Sequence, residues 1–232
     1  MNYVIINGTD SRTINGLLIQ SLPFLHKPRK RYELEEIDGR DGDMVTVLGY
    51  GSADVEMTIG LHGSFDADQV ISFFNAEGTI VFSNDPEKYY YFSVLEQFDL
   101  ERLVIFRQAT ITIHLQPFKY KVNEATVDLL TSSGVVVNSG NVKSKPILEL
   151  EGSGTVEVNL NGSDVLQVVF DASNTAVTID VETLEASNGD VLLNRICTGD
   201  YDNLQLNVGS NTFTFTGTVT TAEISRYSRW LG

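Results

Sequence analysis

Three carboxylates lie close together in the segment Asp38-Gly39-Arg40-Asp41-Gly42-Asp43, the sharpest local signal in the chain. Ca²⁺ takes oxygen ligands, so the segment is the first candidate for a metal site. Its spacing differs from that of an EF-hand loop, however, and Arg40 places a cation among the supposed ligands. Asp-Gly is a turn dipeptide. Its repetition predicts a double turn with an Asp–Arg contact, and no bound metal.

The remaining reactive side chains form no recognisable catalytic or cofactor motif. The histidines are His26, His62 and His114, and the sequence contains no HExxH, CxxC, GxSxG, Walker or GxGxxG pattern. Cys197 is the single cysteine, so an internal disulfide is excluded and a buried structural thiol is expected. The sequence cannot select an acid pair for glycoside hydrolysis from its many Asp and Glu residues. We predict no catalytic, metal-binding or cofactor-binding residues, and no enzymatic activity.

The composition argues against several classes of partner. The 232 residues carry a formal net charge of −15, spread over both halves, so a phosphate-contacting surface for nucleic acid is not expected. The basic cluster Lys27-Pro28-Arg29-Lys30-Arg31 is followed by acids, which indicates a solvated or interface-facing loop. The start resembles no signal peptide, and no apolar run approaches the ~20 residues of a membrane span. These features predict a soluble protein made in a cytoplasm.

Alternating apolar and polar residues indicate strands along most of the chain. The alternating sets are Val55/Met57/Ile59, Ile111/Ile113/Leu115, Val156/Val158/Leu160, Val177/Ile179/Val181, Leu204/Leu206/Val208 and Phe213/Phe215. His114 alternates with buried-face residues, so its side chain should lie on a polar face. Turn signals separate the strands at Asn7-Gly8, Asn15-Gly16, Asn161-Gly162 and Asn188-Gly189. Short strands at such intervals predict a β-sandwich or barrel.

One segment predicts a helix. Asp66 can cap it, Val70, Phe73 and Phe74 recur at helical spacing to form its buried face, and Gly78 follows as a stop signal. The turn-rich stretch 121–141 predicts the seam between two domains.

Aromatic residues offer a second kind of binding surface. Tyr89-Tyr90-Tyr91-Phe92 could stack on a sugar or base, but alternation sends Tyr90 and Phe92 to one face and Tyr89 and Tyr91 to the other. One pair is expected in the core, with the other covered by neighbours. Trp230, the single tryptophan, could stack on a sugar ring or dock the chain end onto its own domain or a neighbour.

Several phrases, in order, resemble the distal tail protein family of siphophages. In the first half they are Asp38–Asp43, the helix followed by Gly78-Thr79-Ile80-Val81-Phe82, Asp85-Pro86 before Tyr89–Phe92, and Gln116-Pro117-Phe118. In the second half they are Lys145-Pro146-Ile147, Asn161-Gly162, Ile179-Asp180, Asn194-Arg195, Gly199-Asp200-Tyr201 with Leu204, Gly209-x-Asn211 and the terminal Arg226-Tyr227-Ser228-Arg229-Trp230. No single phrase is diagnostic, but the ordered set covers essentially the whole chain.

The resemblance implies a mainly β protein of two domains. Residues 1–130 would form an N-terminal β-sandwich-like belt domain with one α-helix and a long hairpin, and residues 131–232 a C-terminal galectin-like β-sandwich. It also implies a structural virion protein of the phage tail tip, synthesised in the host bacterial cytoplasm. A homo-hexameric ring would join the tail tube protein to the tail-associated or tail-tip protein, with receptor-binding or baseplate proteins as further partners. DNA would pass through the ring lumen, with no sequence-specific nucleic-acid binding and no membrane insertion.

A head-to-tail ring needs two different complementary surfaces on each subunit. The candidate residues for these subunit or partner contacts are Asp38, Arg40, Asp41, Asp43, Tyr90, Arg229 and Trp230. The alternative is a carbohydrate-binding β-sandwich module in residues 142–232 that contacts host cell-wall glycans. Such a module would need an exposed aromatic ring beside polar groups in a groove. Which surfaces form the ring interface is beyond the sequence, because alternation marks the buried face of a strand and leaves the other face undecided.

Overall fold

A computed structural model describes residues 1–94, 100–129 and 132–232, with side chains described outside 100–102. The chain divides into a first unit, Met1–Val122 with Leu231–Gly232, and a second unit, Asn123–Trp230. Both units are built mainly from antiparallel strands, which confirms the predicted fold class. Among the described residues, no helix has the length and apolar character needed to cross a bilayer.

The first unit contains an antiparallel sheet with the strand order β2-β1-β7-β8-β9-β6-β3. These strands are β1 Val4–Ile6, β2 Thr9–Asp10, β3 Leu17–Ser21, β6 Ala53–Leu61, β7 Glu77–Phe82, β8 Lys88–Ser93 and β9 Gln108–Lys121. Two further strands, β4 Lys30–Glu36 and β5 Asp43–Tyr50, form a separate two-stranded hairpin. The inward residues of β6 and β9 are the predicted alternating sets, and all of them are buried in one core.

The predicted helix is α1, Ala67–Phe74. The Asp66 carboxylate accepts hydrogen bonds from the backbone N–H groups of Asp68 and Gln69, which satisfies donors that the first helical turn leaves unpaired. Val70, Phe73 and Phe74 are buried, as predicted. The helix ends earlier than its stop signal suggested, with Asn75 as the C-cap, because Gly78 already belongs to the next strand.

A second helix, α2 Leu100–Phe106, was not predicted, so the expectation of one helix was wrong. Two turns are too few for a clear helical period, and the β-branched pair Val104-Ile105 favours a strand. Tertiary packing decides the conformation, because Leu103 is fully buried in the first core. Arg107, with φ of 55°, ends the helix in the left-handed region, as C-terminal caps commonly do.

The second unit curls a long antiparallel sheet around its own core. Its strands are β10 Val127–Asp128, β11 Ser133–Asn138, β12 Ile147–Leu160, β13 Ser163–Phe170, β14 Ala176–Asp180, β15 Glu185–Asn188, β16 Val191–Leu192, β17 Cys197–Gly199 and β18 Gly209–Ser225. Strand β12 pairs with β14 over Ile147–Glu151 and with β13 over Gly154–Leu160, with irregular register between the two stretches. One strand therefore serves two parts of a sandwich. A last strand, β19 Arg229–Leu231, ends the chain.

Two sequence expectations in this region need correction. Residues 201–204 form a 3-10 helix and Val208 is exposed, so the alternation of Leu204, Leu206 and Val208 does not mark a strand. The domain boundary lies between Val122 and Asn123, inside the predicted seam but ahead of the predicted division at 130/131. The reason is that β10 pairs with β18 and Leu129 is fully buried in the second core.

Candidate assembly surface

Strands β4 and β5 form a hairpin that pairs with no other described strand. Residues 37–42 join the two strands at the tip, and the hydrogen bond from the Gly51 N–H to the Arg29 carbonyl, at 2.9 Å, closes the base. The ladder shifts register between Arg31 and Tyr32, a bulge that increases the local twist of the ribbon. An isolated two-stranded hairpin is marginally stable in water on its own. Residues 30–48 are all exposed and the two strands pair only with each other, so the faces and outer edges of the hairpin are available to a partner.

The strand register separates the hairpin into two chemically different faces. Tyr32 lies opposite Val47 and Leu34 opposite Val45, so these four side chains share one face. Each is between 52% and 58% exposed, although large apolar side chains are more often buried. The other face carries the pairs Glu33/Thr46 and Glu35/Met44. We call the set Tyr32, Leu34, Val45 and Val47 the apolar face of the hairpin.

The tip of the hairpin holds one hydrogen-bonded turn over residues 37–40, followed by a bend over 40–42 in place of the predicted second turn. Gly39 and Gly42 have φ values of 82° and 79°, a conformation that glycine adopts without steric cost. Asp38, Arg40, Asp41 and Asp43 are all exposed there. The expected Asp–Arg contact is wrong: among the described residues Arg40 forms no ion pair, and only its backbone N–H is held, by the Ile37 carbonyl. The described residues also include no group of His, Cys, Asp or Glu arranged to hold a metal.

Charge is segregated along the hairpin. The base carries the exposed cations Lys27, Arg29, Lys30 and Arg31, and the tip carries the acids Glu36, Asp38, Asp41 and Asp43. Glu33 and Glu35 lie on β4 between these two groups. Within the described ranges, none of these eight side chains forms an ion pair. A strand of seven residues is roughly 23 Å long at about 3.3 Å per residue, more than twice the screening length at physiological salt. The two ends therefore present separate surfaces of opposite sign.

A second apolar surface of the first unit lies on helix α2. Leu103 points into the core, while Ile105 and Phe106 are 69% and 73% exposed and Val104 is also exposed. Arg107, just beyond the helix, donates to the Gly63 carbonyl and stacks over the Phe65 ring at 5.4 Å, which fixes the helix end. The first unit thus has two exposed apolar surfaces of different shape, a strand ribbon and a short helix.

Tyr90 is not a surface residue. Its side chain is 6% exposed and lies in the first core with Phe92, while burial, helped by the nearby Asp85 charge, raises the pKa of Tyr90 to about 12. The predicted alternation of this segment is confirmed for that pair. On the opposite face the rings of Tyr89, Tyr91 and Tyr120 pack together with centroids 5.3–5.6 Å apart. Because a buried ring offers no surface to a partner, we exclude Tyr90 from the candidate assembly surface.

Arg229 and Trp230 belong to the second unit, and both residues have contacts within the chain. The Arg229 Nε donates to the Lys143 carbonyl at 2.7 Å, and its Nη1 is 3.7 Å from the Glu182 carboxylate. Gly140 lies so close to the Arg229 backbone that a Cβ at Gly140 would overlap it. Both side chains are partly exposed. Their local role is to hold the chain end, and a partner contact for them stays a prediction.

The second unit also has a polar cavity of about 350 Å³, lined by Lys143, Leu160, Asn161, Ser163, Asp164, Val165, Asp202, Asn203, Gln205 and Asn207. Much of this lining is already hydrogen-bonded internally: Asn161 accepts from the Thr212 N–H, and the Gln205 amide donates to Asp202. The lining contains no aromatic ring, and Phe170, Phe213 and Phe215 are buried in the core. The cavity therefore lacks the stacking surface that the carbohydrate-binding alternative requires.

His114 and Cys197, the two reactive side chains discussed from the sequence, both contact other residues of the fold. His114 lies on the polar face of β9, as predicted, with its Nδ1 2.6 Å from the carboxylate of Asp54 on β6. Cys197 is partly buried, and burial raises the pKa of its thiol despite an opposing hydrogen bond with Tyr201. Burial likewise raises the pKa of Tyr201 to about 12. A thiol held protonated in this way is a poor nucleophile.

Comparison with known proteins gives no match to a family model or to a curated protein. The crystal structure of the SPP1 Dit protein, described as a paradigm of the hub adsorption apparatus in phages that infect Gram-positive bacteria, is similar over 97% of this chain and 98% of that one. The TM-score is 0.67 and the sequence identity is 18%. This chain has the Dit fold. A structure of the phage P2 baseplate in its activated conformation with Ca matches over 97% of each chain at a TM-score of 0.45 and 8% identity, too remote for argument.

The Dit fold agrees with the family resemblance seen in the sequence, at the level of fold. Sequence reasoning located the tip of the hairpin but missed its apolar face and the exposed part of α2. The signal for the face was present, since Tyr32/Leu34 and Val45/Val47 alternate on either side of the predicted double turn. Alternation alone would place these residues in a core, and only the structure shows them exposed.

Proposed function

We propose that this protein is a structural virion component, the distal tail hub of a siphophage. A hexameric ring of the chain would join the tail tube to the tail-tip or baseplate and host-adhesion proteins. The Dit fold supports this proposal, since the similar SPP1 protein is described as part of a hub adsorption apparatus. The proposal assigns no catalytic residue. From the same family resemblance we also propose that the second unit is a galectin-like β-sandwich.

The observation that carries the proposal is the apolar face of the hairpin. Tyr32, Leu34, Val45 and Val47 are about half exposed, so covering them would contribute roughly 1 kcal/mol each. A ring requires a different surface on the neighbouring subunit. The exposed side of α2, formed by Val104, Ile105 and Phe106, is such a surface on the same unit. Two unlike apolar surfaces on one unit favour head-to-tail association over a symmetric dimer.

The test compares two triple variants of the purified full chain by light scattering and negative-stain imaging. Tyr32→Ser/Leu34→Ser/Val47→Ser removes most of the apolar face. Glu33→Ser/Glu35→Ser/Thr46→Ser changes the same two strands on the opposite face. We expect rings with an open centre for the unaltered protein and the second variant, and monomers for the first.

Assembly that persists in the first variant would contradict the role of the apolar face. A monomer at every concentration of the unaltered protein would contradict ring formation by the chain alone. In that case, binding of host cell-wall glycans to the second unit becomes the next measurement, because glycan binding is the alternative function.

A further inference from the structure

The segregated charge of the hairpin indicates what lies against it. The acidic tip and the positively charged base of one hairpin are complementary to each other. They lie at opposite ends of the hairpin, so they cannot meet within one subunit. None of the eight side chains has an ion-pair partner among the described residues, although Glu33 lies only two residues from Arg31 on β4. A second copy of the chain supplies both missing partners at once.

We infer that the acidic tip of each hairpin (Glu36, Asp38, Asp41 and Asp43) docks against the basic base (Lys27, Arg29, Lys30 and Arg31) of the next copy. The inference rests on the proposed ring and deepens it, because it specifies which ends meet and in which direction. Complementary charge fixes register and direction at an interface more than it adds affinity. Association energy comes from the apolar face, and the charges exclude the reversed arrangement, in which tip would meet tip.

The proposed docking of tip against base also gives a reason for the backbone conformation at Gly39 and Gly42. Gly39 and Gly42 allow the tight turn and the bend that follows it, so the backbone reverses at positions that carry no side chain. A Cβ at either glycine would have no neighbour within 4 Å, so no other part of the described subunit packs against these two positions. The carboxylates are thus presented to the outside. Arg40 among them lowers the net charge of the tip without changing its sign.

A charge exchange between two variants tests the inference. The base variant carries Lys27→Glu, Arg29→Glu and Lys30→Glu, and the tip variant carries Glu36→Lys, Asp38→Lys and Asp41→Lys. Each variant alone would place like charges at every interface, and we expect its self-association to weaken at least roughly tenfold. An equimolar mixture restores opposite charges at every interface if the copies alternate. The combined six-substitution variant restores them within one chain.

The control is Glu157→Lys/Glu185→Lys/Asp190→Lys, which makes the same change in net charge as the tip variant with exposed residues of the second unit. We expect rings from this control, from the mixture and from the combined variant, and monomers from the base and tip variants alone. Recovery in the mixture also proves that both variants are folded.

Two results would overturn the inference. Base and tip variants that form rings alone as well as the unaltered protein does would refute it while leaving the proposed function intact, as would a mixture that stays monomeric beside an assembling control. Absence of rings from the unaltered protein would reject the ring itself, and the inference with it.

Discussion

Asp85 joins two strands of the first unit through a pair of lysines. Its carboxylate oxygens are 3.2 Å from the Lys88 Nζ and 2.9 Å from the Lys119 Nζ, which lie on β8 and β9. Burial works to raise the pKa of Asp85, but the hydrogen bonds from Lys119 and Lys88 together outweigh it, so its pKa lies below the usual value. The charged form is therefore favoured in the folded state, and its protonation destabilises the fold.

We expect Asp85→Asn to lower the melting temperature at neutral pH, because both lysines lose their anion. A depressed carboxylate pKa contributes stability that is fully present above the unfolded value of about 3.9 and is lost as the pH falls through the lower folded pKa. The difference between the two proteins should therefore be constant from about pH 7 to pH 5 and shrink below pH 4. Thermal unfolding across this range measures it, and a gap independent of pH would refute the assignment.

At the scale of the element, the β4–β5 hairpin contributes no residue to either core among the residues described. Lys30 and Tyr50 are paired at its base, and the Tyr50 ring meets Phe118 edge to face at 5.5 Å. The part beyond this pair, residues 31–49, is hydrogen-bonded to no described strand of the larger sheet. The hairpin should therefore be separable from the stability of its unit.

Replacing residues 31–49 with Asn-Gly tests this independence. Asn-Gly suits a two-residue hairpin turn, and the excised segment covers no core side chain, so we expect the free energy of unfolding to change by less than about 0.5 kcal/mol. Self-association should be lost. Denaturant unfolding and light scattering on the same sample give both values.

The matched control removes strands β14 and β15, Ala176–Asn188, which supply Val177, Ile179 and Ala186 to the second core. We expect that excision to unfold the second unit. Strong destabilisation by the β4–β5 excision would instead show that the hairpin supports its own fold.

At the scale of the whole molecule, the chain has two units with separate cores. The first residues of the second unit are firmly held. Glu124 accepts from the Ser228 N–H at 2.7 Å and lies 3.6 Å from the Arg226 Nε, and the Leu129 N–H donates to the Ala222 carbonyl at 2.7 Å. Residues 123–129 are thus part of the second fold.

We expect the fragment 123–230 to fold by itself and to unfold cooperatively. The fragment 131–232, cut at the division predicted from the sequence, should be at least about 2 kcal/mol less stable because it lacks the buried Leu129 side chain. Chemical denaturation of both fragments measures the difference. Leu129→Ala in the longer fragment is the control and should account for much of the loss. Equal stability of the two fragments would instead support the domain boundary at 130/131 that was predicted from the sequence.

Particular residues show how much of the fold could be predicted from the sequence. Asp66, Val70 and Phe73 fixed the helix α1, and alternation placed Met57, Ile111 and Val158 in cores, because local capping and period follow from residue type. The same reasoning failed where local signals compete with distant contacts. Helix α2 depends on Leu103 reaching the core, and residues 201–204 turn in a 3-10 helix although their pattern alternates.

The amino-acid sequence by itself determined the strand-rich class, the first helix, the turn at Asp38-Gly39 and the charge at the two ends of the hairpin. These properties are set within a few residues, by backbone preference and side-chain type. The tertiary structure decided which alternating faces lie in a core and which stay exposed. It assigned residues 123–129 to the second unit, buried Tyr90, and left Tyr32 and Leu34 uncovered. Burial depends on contacts between distant segments, which the period of a single strand does not encode.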